Sequence, residues 1–442
     1  MRGFNVSEIV VAKFGGSSLS DSNQFKKVKN IIMSDNKRKF VVPSAPGKRF
    51  VKDYKITDLL YLCQSHVQQK IPFEDVFKII SSRYKEIISD LKLDFDISPY
   101  LNEVQHKIAA GAASDYTASR GEYLNGLILA KYLNFNFIDA ADIILFNKRG
   151  RLDDKKTYEL INEKLGPLEN AVIPGFYGKS YTGEIKTFSR GGSDITGAII
   201  SCGVEAALYE NWTDVSGFLM ADPRIVKNPK NIKEITYREL RELSYMGATV
   251  LHEESVFPVR RAEIPINIKN TNQPDHCGTF IVNNPLEENP SAITGIAGKK
   301  DFTVIAIEKT MMNQELGFCR KLLSIVEANG VSFENMPCGI DTVSIVIAKS
   351  ELKDKLDNIL DEIEDQLKPD SLVVYEDMAL IATVGKGMIS RKGVSAKIFK
   401  ALGDNNINIR MINQGSSEIN IIVGVENADF EKATRAIYNE FV

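Results

Sequence analysis

Toward its C-terminus the chain repeats itself: residues 317–347 align without a gap on residues 393–423. In that register Val331 falls on Ile407, Phe333 on Ile409, Gly339 on Gly415, Val343 on Ile419 and Ile345 on Ile421. Each copy reads as a helix followed by two alternating strands. A strand precedes each copy (303–307 and 380–384) and a helix follows it (352–367 and 430–441), so the pattern βαββα occurs twice. The copies read as paired small domains whose sheets extend across a shared edge, leaving clefts that suit a small ligand.

The larger N-terminal part has a different rhythm. Short runs rich in β-branched residues, Phe40-Val41-Val42, Phe137-Ile138, Ala171-Val172-Ile173, Ala206-Ala207-Leu208, Ile264-Pro265-Ile266 and Phe280-Ile281-Val282, alternate with amphipathic stretches such as Phe25, Val28, Ile31 and Ile32. Alternation of this kind predicts an α/β sheet covered on both faces. Turn formers and charge concentrate between residues 283 and 290, which places the main boundary shortly afterwards, near Gly298. The expected domains are 1–298, 299–376 and 377–442, the second interleaving with the third through its first strand.

With 442 residues, 43% of them hydrophobic, the chain can bury several cores. Its 55 basic and 58 acidic residues are mixed without a basic arm, which argues against nucleic acid as a partner. Cys63, Cys202, Cys277, Cys319 and Cys338 are widely spaced and form no Cys-x-x-Cys pair, so no metal site is expected; reduced thiols fit a cytoplasmic protein. Neither a signal peptide nor a membrane anchor is expected.

Chemistry is signalled first by the strand Val10-Val11-Ala12-Lys13-Phe14, which runs straight into Gly15-Gly16-Ser17-Ser18. A lysine leaving a buried strand beside glycines, whose backbone N–H groups can approach an anion, suits polyphosphate. A second glycine turn, Thr187-Phe188-Ser189-Arg190-Gly191-Gly192-Ser193-Asp194, opens an apolar helix through Ile195, Ala198, Ile199 and Ile200. No Gly-x-x-x-x-Gly-Lys-Ser/Thr motif occurs, so any kinase here binds ATP without a Walker loop. Asp194 also suits a helix N-cap, which is compatible with a functional role; Glu122 could equally be a first-turn acid; and Trp212 reads as a core or rim residue rather than a platform for base stacking.

These turns stand in order with Ser119-Arg120-Gly121-Glu122, Trp212-Thr213-Asp214-Val215-Ser216-Gly217, Asp222-Pro223-Arg224 and Gly247-x-x-Val250-Leu251-His252. Together they resemble the aspartokinases, members of the amino acid kinase family that carry two C-terminal ACT domains. The resemblance implies an amino-acid-kinase-like sandwich with a central, mainly parallel sheet, followed by two ferredoxin-like βαββαβ domains. It also implies ATP-dependent phosphorylation of the side-chain carboxylate of L-aspartate to 4-phospho-L-aspartate, the entry to lysine, threonine and methionine biosynthesis.

By the same resemblance Lys13 faces the transferring phosphoryl group and Asp194 holds that lysine. Arg190 takes the substrate α-carboxylate and Glu122 its ammonium, while Ser44, Thr57, Phe176 and Ser193 line the pocket. Gly15, Gly16, Ser17, Thr213, Asp214 and Arg224 surround the nucleotide. Mg2+ is expected through phosphates and water rather than a carboxylate cage. An effector, lysine and/or threonine, is placed near Gly317, Phe318 and Glu334, and pairing of ACT domains implies a homodimer or a dimer of dimers.

Two positions depart from the family pattern. Leu219 stands for a tyrosine and Thr249 for a lysine, both near the nucleotide, with Arg224, Lys227 and Lys230 as candidate replacements. The rival readings are an ACT-type amino-acid sensor with little kinase activity and an amino acid kinase for another acidic substrate. Fusion to a homoserine dehydrogenase is not expected.

Overall fold

The computed structural model describes residues 8–189, 191–248, 256–285 and 291–442. The chain divides into two compact units. One holds the described residues of 1–218, 231–237 and 250–286, and the other those of 219–230, 238–249 and 287–442.

The first unit is built on ten strands: β1 Val10–Phe14, β2 Arg38–Pro43, β3 Asn136–Phe137, β4 Ala171–Val172, β5 Tyr177–Lys179, β6 Ile185–Thr187, β7 Leu208–Thr213, β8 Glu234–Thr236, β9 Ile266–Asn270 and β10 Thr279–Val282. Eight of them form one sheet in the order β3-β4-β2-β1-β7-β9-β10-β8, with β5 and β6 as a separate hairpin. Every pairing in the large sheet is parallel except β9 with β10. All five residues of β1 are buried, the mark of a strand covered on both faces.

The helix Ser22–Met33 shows how the sequence pattern becomes packing. Asp21 accepts from the N–H groups of Asn23 and Gln24, and Phe25, Val28, Ile31 and Ile32 face inward at helical spacing. They join a core shared with the helices Ile56–Gln68, Glu74–Asp90, Ser98–Ala109 and Ser114–Leu133.

The second unit carries an antiparallel sheet of β11 Gly295–Glu308, β12 Thr342–Ala348, β13 Ser371–Val384, β14 Met411–Asn413 and β15 Asn420–Glu426, in the order β12-β11-β13-β15-β14. The repeat is visible residue by residue. Val331 and Ile407, Val343 and Ile419, and Ile345 and Ile421 are all buried; Val331, Val343 and Ile345 lie in the core of the first copy, and Ile407 and Ile421 in that of the second. Gly317 and Gly393 open the helices Phe318–Ala328 and Val394–Asp404 with φ of 82° and 87°, a left-handed conformation that glycine adopts without a Cβ clash.

β11 runs unbroken through residue 298. Its residues Gly295–Lys299 pair with 380–384 of β13, while Phe302–Glu308 pair with β12 and with 371–378. The strand leading into the first copy thus begins as an edge of the second copy's sheet.

Candidate active site

Strands β2, β3 and β4 lie on one side of β1, and β7 to β10 on the other. This divide, at the carboxyl ends of the strands, is where open α/β sheets bind ligands. β1 delivers Lys13 there, one residue before its end, and the chain turns at Gly15 into the short helix Gly16–Leu19, which contains Ser17.

The turn is tied to both neighbouring strands. Gly15 N–H donates to Trp212 O at 2.9 Å, Ser44 N–H to Phe14 O at 3.0 Å and Gly47 N–H to Gly16 O at 2.8 Å. A Cβ on Gly16 would sit 2.8 Å from Ala45 O, and one on Gly47 2.7 Å from the Gly16 carbonyl carbon, so the two loops touch backbone to backbone. A Cβ at Gly15 would lie 3.6 Å from the Lys13 ammonium; glycine there keeps open the space that an anion would need. Beneath the loop, Arg83 donates to Gly47 O at 3.2 Å and grips both oxygens of Asp53 at 2.8 and 2.9 Å.

At the end of β1, Lys13 Nζ lies 2.5 Å from Asp194 Oδ1, with the two side chains 9% and 15% exposed. Asp194 is in the first turn of the helix Gly192–Gly203, whose N-cap is Gly191, so the N-cap alternative for Asp194 does not hold. The third member is Asn211 of β7, which donates to Asp194 Oδ1 at 2.8 Å and accepts from Lys13 Nζ at 3.3 Å. A cation held between an acid and an amide, beside a glycine turn, suits an anionic group that gains charge during reaction.

Glu122 lies mid-way along the helix Ser114–Leu133, which rules out the first-turn reading. It is 6% exposed, and its Oε2 has no hydrogen-bond partner among the described residues. Burial pushes its carboxyl up to about 8, against the lowering effect of the N–H groups of Ala45 and of Glu122 itself and the charge of Arg120. A buried carboxylate with one empty oxygen is a place for a cation.

Other expected pocket residues converge on the same ground. Gly175 N–H donates to Pro43 O at 3.1 Å, and a Cβ on Gly175 would meet Ser193 Cβ at 2.6 Å. Phe176 holds φ at 81°, and its N–H donates to Thr196 Oγ1 at 3.0 Å. Thr57 opens the helix Ile56–Gln68, where Ile56 lies 3.6 Å from a Cβ built on Gly121.

Thr213 ends β7, and its hydroxyl donates to Asp214 at 3.2 Å. Trp212 is buried, stacked on Phe14 with centroids 5.9 Å apart, and donates to Glu210 Oε2 at 2.9 Å, so it is core.

Arg190 and the stretch 249–255, with Thr249, Val250, Leu251 and His252, lie outside the described residues. Arg224 belongs to the second unit, exposed and ion-paired with Asp222 at 2.6 Å. In the same unit Leu219 is exposed, Lys227 is exposed, and Lys230 Nζ donates to Val442 O at 3.2 Å.

At the expected effector position Gly317 starts its helix, but the Phe318 side chain is buried in the core of the first copy, leaving only its backbone for a ligand. Glu334 N–H donates to Val346 O at 2.7 Å, and its carboxylate accepts from the Tyr245 hydroxyl, which raises the Tyr245 hydroxyl to about 12.

Sequence reasoning missed Asn211, and the Asp53–Arg83 pair that braces the loop. The signal for Asn211 was a polar residue on a central strand, Leu208–Thr213, where an apolar one folds at lower cost.

Residues 8–270 match the amino acid kinase family, and residues 381–441 match an ACT domain. Aspartokinase 3 of Bacillus subtilis is 38% identical over 98% of both chains. The crystal structure of Clostridium acetobutylicum aspartate kinase is 64% identical, covers 98% of this chain and 100% of its own, and superposes with a TM-score of 0.93. E. coli aspartokinase III is 26% identical in two structures, each covering 98% of this chain and at least 99% of its own. One, in complex with lysine and aspartate, gives a TM-score of 0.76; the other, with aspartate and ADP, gives 0.71.

Proposed function

The chain belongs to the amino acid kinase family, among its aspartokinases, and from that premise we propose that it transfers the γ-phosphoryl group of ATP to the side-chain carboxylate of L-aspartate, giving 4-phospho-L-aspartate. The observation that carries this reading is the Lys13–Asp194 pair at the mouth of the glycine turn. The nucleophile arrives ionised, so the site needs no general base; it needs cations where two anions meet, and rigid positioning.

Lys13 offsets charge on the phosphoryl oxygens, Asp194 aims it, and the N–H groups of Gly16 and Ser17 receive phosphate oxygens, while Gly15, whose own N–H is held by Trp212 O, leaves room for them. Glu122 receives the substrate ammonium at its empty oxygen, and that cation favours the ionised form which burial disfavours. Arg190 takes the α-carboxylate through a two-bond fork, with Ser44, Thr57, Phe176 and Ser193 as pocket wall. Thr213, Asp214 and Arg224 serve the nucleotide. Mg2+ would neutralise the β- and γ-phosphates, held by phosphates and water.

The product enters lysine, threonine and methionine synthesis, and lysine and/or threonine restrains the enzyme through the ACT pair, near Gly317, Phe318 and Glu334. Division of labour follows 1–298 for catalysis and 299–376 with 377–442 for regulation, in a cytoplasmic homodimer or dimer of dimers.

A coupled assay for ADP tests the reading. Turnover should depend on aspartate and fall when lysine or threonine is added; well-folded protein that turns over glutamate or acetylglutamate but not aspartate would refute it.

A further inference from the structure

We propose that Asn211 is a positioning residue for the phosphoryl transfer, freeing Lys13 to follow the migrating group while Asp194 stays hydrogen-bonded; this rests on the kinase reading above. Asn211 is 3% exposed and sits directly across from Lys13 in the parallel register of β1 and β7. Its amide closes a triangle. Nδ2–H donates to Asp194 Oδ1 at 2.8 Å, Oδ1 accepts from Lys13 Nζ at 3.3 Å, and Lys13 Nζ contacts the same Asp194 oxygen at 2.5 Å.

The first consequence concerns donors. An ammonium has three N–H groups, and Asp194 and Asn211 engage two of them. Among the described residues nothing engages the third, which is left for a phosphoryl oxygen.

The second concerns charge. In the resting site Asp194 cancels the cation, so Lys13 can assist developing charge only as far as Asp194 releases it. Release by itself would strand a nearly buried carboxylate oxygen, which is costly. Asn211 Nδ2 already occupies that oxygen, so the ammonium can lean toward the phosphoryl group without orphaning its partner. A neutral amide does this with no charge of its own to compete for the lysine.

In the step itself, a substrate carboxylate oxygen bonds to the γ-phosphorus as the bond from phosphorus to the β,γ-bridging oxygen breaks, and ADP carries that electron pair away. No proton passes through Asn211. The benefit therefore appears in the transition state, where Lys13 moves, more than in ground-state binding.

Steady-state kinetics on the full chain, with thermal melts of each variant, test this. Asn211→Leu removes both hydrogen bonds at similar volume and should lower kcat about 10- to 100-fold while the KM for ATP and for aspartate stays within about threefold. Asn211→Asp is the closer match in shape, yet it should lose more activity than the leucine variant, because a second carboxylate holds the ammonium back. A purely structural role predicts the reverse order. The proposal is overturned if Asn211→Leu keeps kcat within about a factor of two, if its loss falls on KM, or if Asn211→Asp is the milder change. Should the aspartate variant fail to fold, the kcat–KM split of the leucine variant decides. A wild type without aspartate-dependent turnover refutes the kinase reading and this assignment with it, whereas an active wild type with an indifferent Asn211→Leu refutes this assignment alone.

Discussion

Replacing Glu122 by glutamine should stabilise the protein in alkali and weaken its hold on aspartate. Glu122 Oε2 is buried without a hydrogen-bond partner among the described residues, and burial drives the carboxyl from the ordinary 4.5 to about 8. Because the folded value is the raised one, the group's contribution to stability is full below about pH 4.5 and is lost as pH rises through about 8. At 1.36 kcal/mol per pH unit, the wild type gives up at most about 5 kcal/mol across that window.

Glutamine keeps the shape and carries no charge, so Glu122→Gln should lack this slope. Its advantage over wild type should be absent below about pH 4.5, grow steadily above it and reach several kcal/mol above the folded value. Urea unfolding of both proteins at a series of pH values measures the difference. The same series, run as kinetics, should show the wild-type KM for aspartate falling as pH rises toward 8, as ionised Glu122 becomes available to the ammonium. The variant should show a KM raised by about tenfold or more, the loss of a charge-assisted hydrogen bond. Parallel stability curves for the two proteins would refute the reasoning, because they would mean that Glu122 is already ionised in the folded state.

Lys13→Ala and Asp194→Ala should each lower turnover by orders of magnitude with the circular-dichroism spectrum unchanged; a near-normal rate in either contradicts the phosphoryl role. Asp53→Asn leaves the Arg83 guanidinium buried without its counter-charge and should destabilise by about 3–5 kcal/mol in thermal or urea unfolding. Burial alone would raise the Asp53 carboxyl, but hydrogen bonds from Arg49 and from backbone N–H groups, with the charge of Arg83, hold it well below the usual carboxylate range. Its contribution is therefore present above about pH 3.8 and lost as pH falls further, a slope the variant should lack. Gly47→Ala would press a Cβ to within 2.7 Å of Gly16, so the KM for ATP should rise as the glycine turn moves; an unchanged value would mean the two loops are not coupled. Titrating lysine and threonine, singly and together, should inhibit the wild type, and Glu334→Ala should weaken that response; flat activity with both would favour a purely structural ACT pair.

Much of this molecule is legible along the chain. Periodicity located the helix Ser22–Met33 and its buried face, and the helix Phe430–Phe441 to the residue. The gapless repeat placed equivalent residues in two separate cores. Glu122 and Asp194 were legible as acids worth attention but not as to setting. One proved to be mid-helix, and the other faces a lysine rather than capping its helix.

What the sequence determined by itself is what depends on neighbours in the chain: element type, apolar faces, the glycine turn that follows Lys13, and the family to which the ordered motifs belong. Tertiary structure decided what depends on residues far apart. Asn211 meets Lys13 only because β1 and β7 pair in parallel, with Lys13 opposite Asn211. Asp53 meets Arg83 only when the loop folds under Gly47. Glu122 is an ordinary carboxylic acid on paper, and it becomes a receptor for a cation because packing strips its water away and leaves one oxygen unanswered. Electrostatic character belongs to the folded surroundings of a group rather than to its place in the chain, and so it is the last property a sequence discloses.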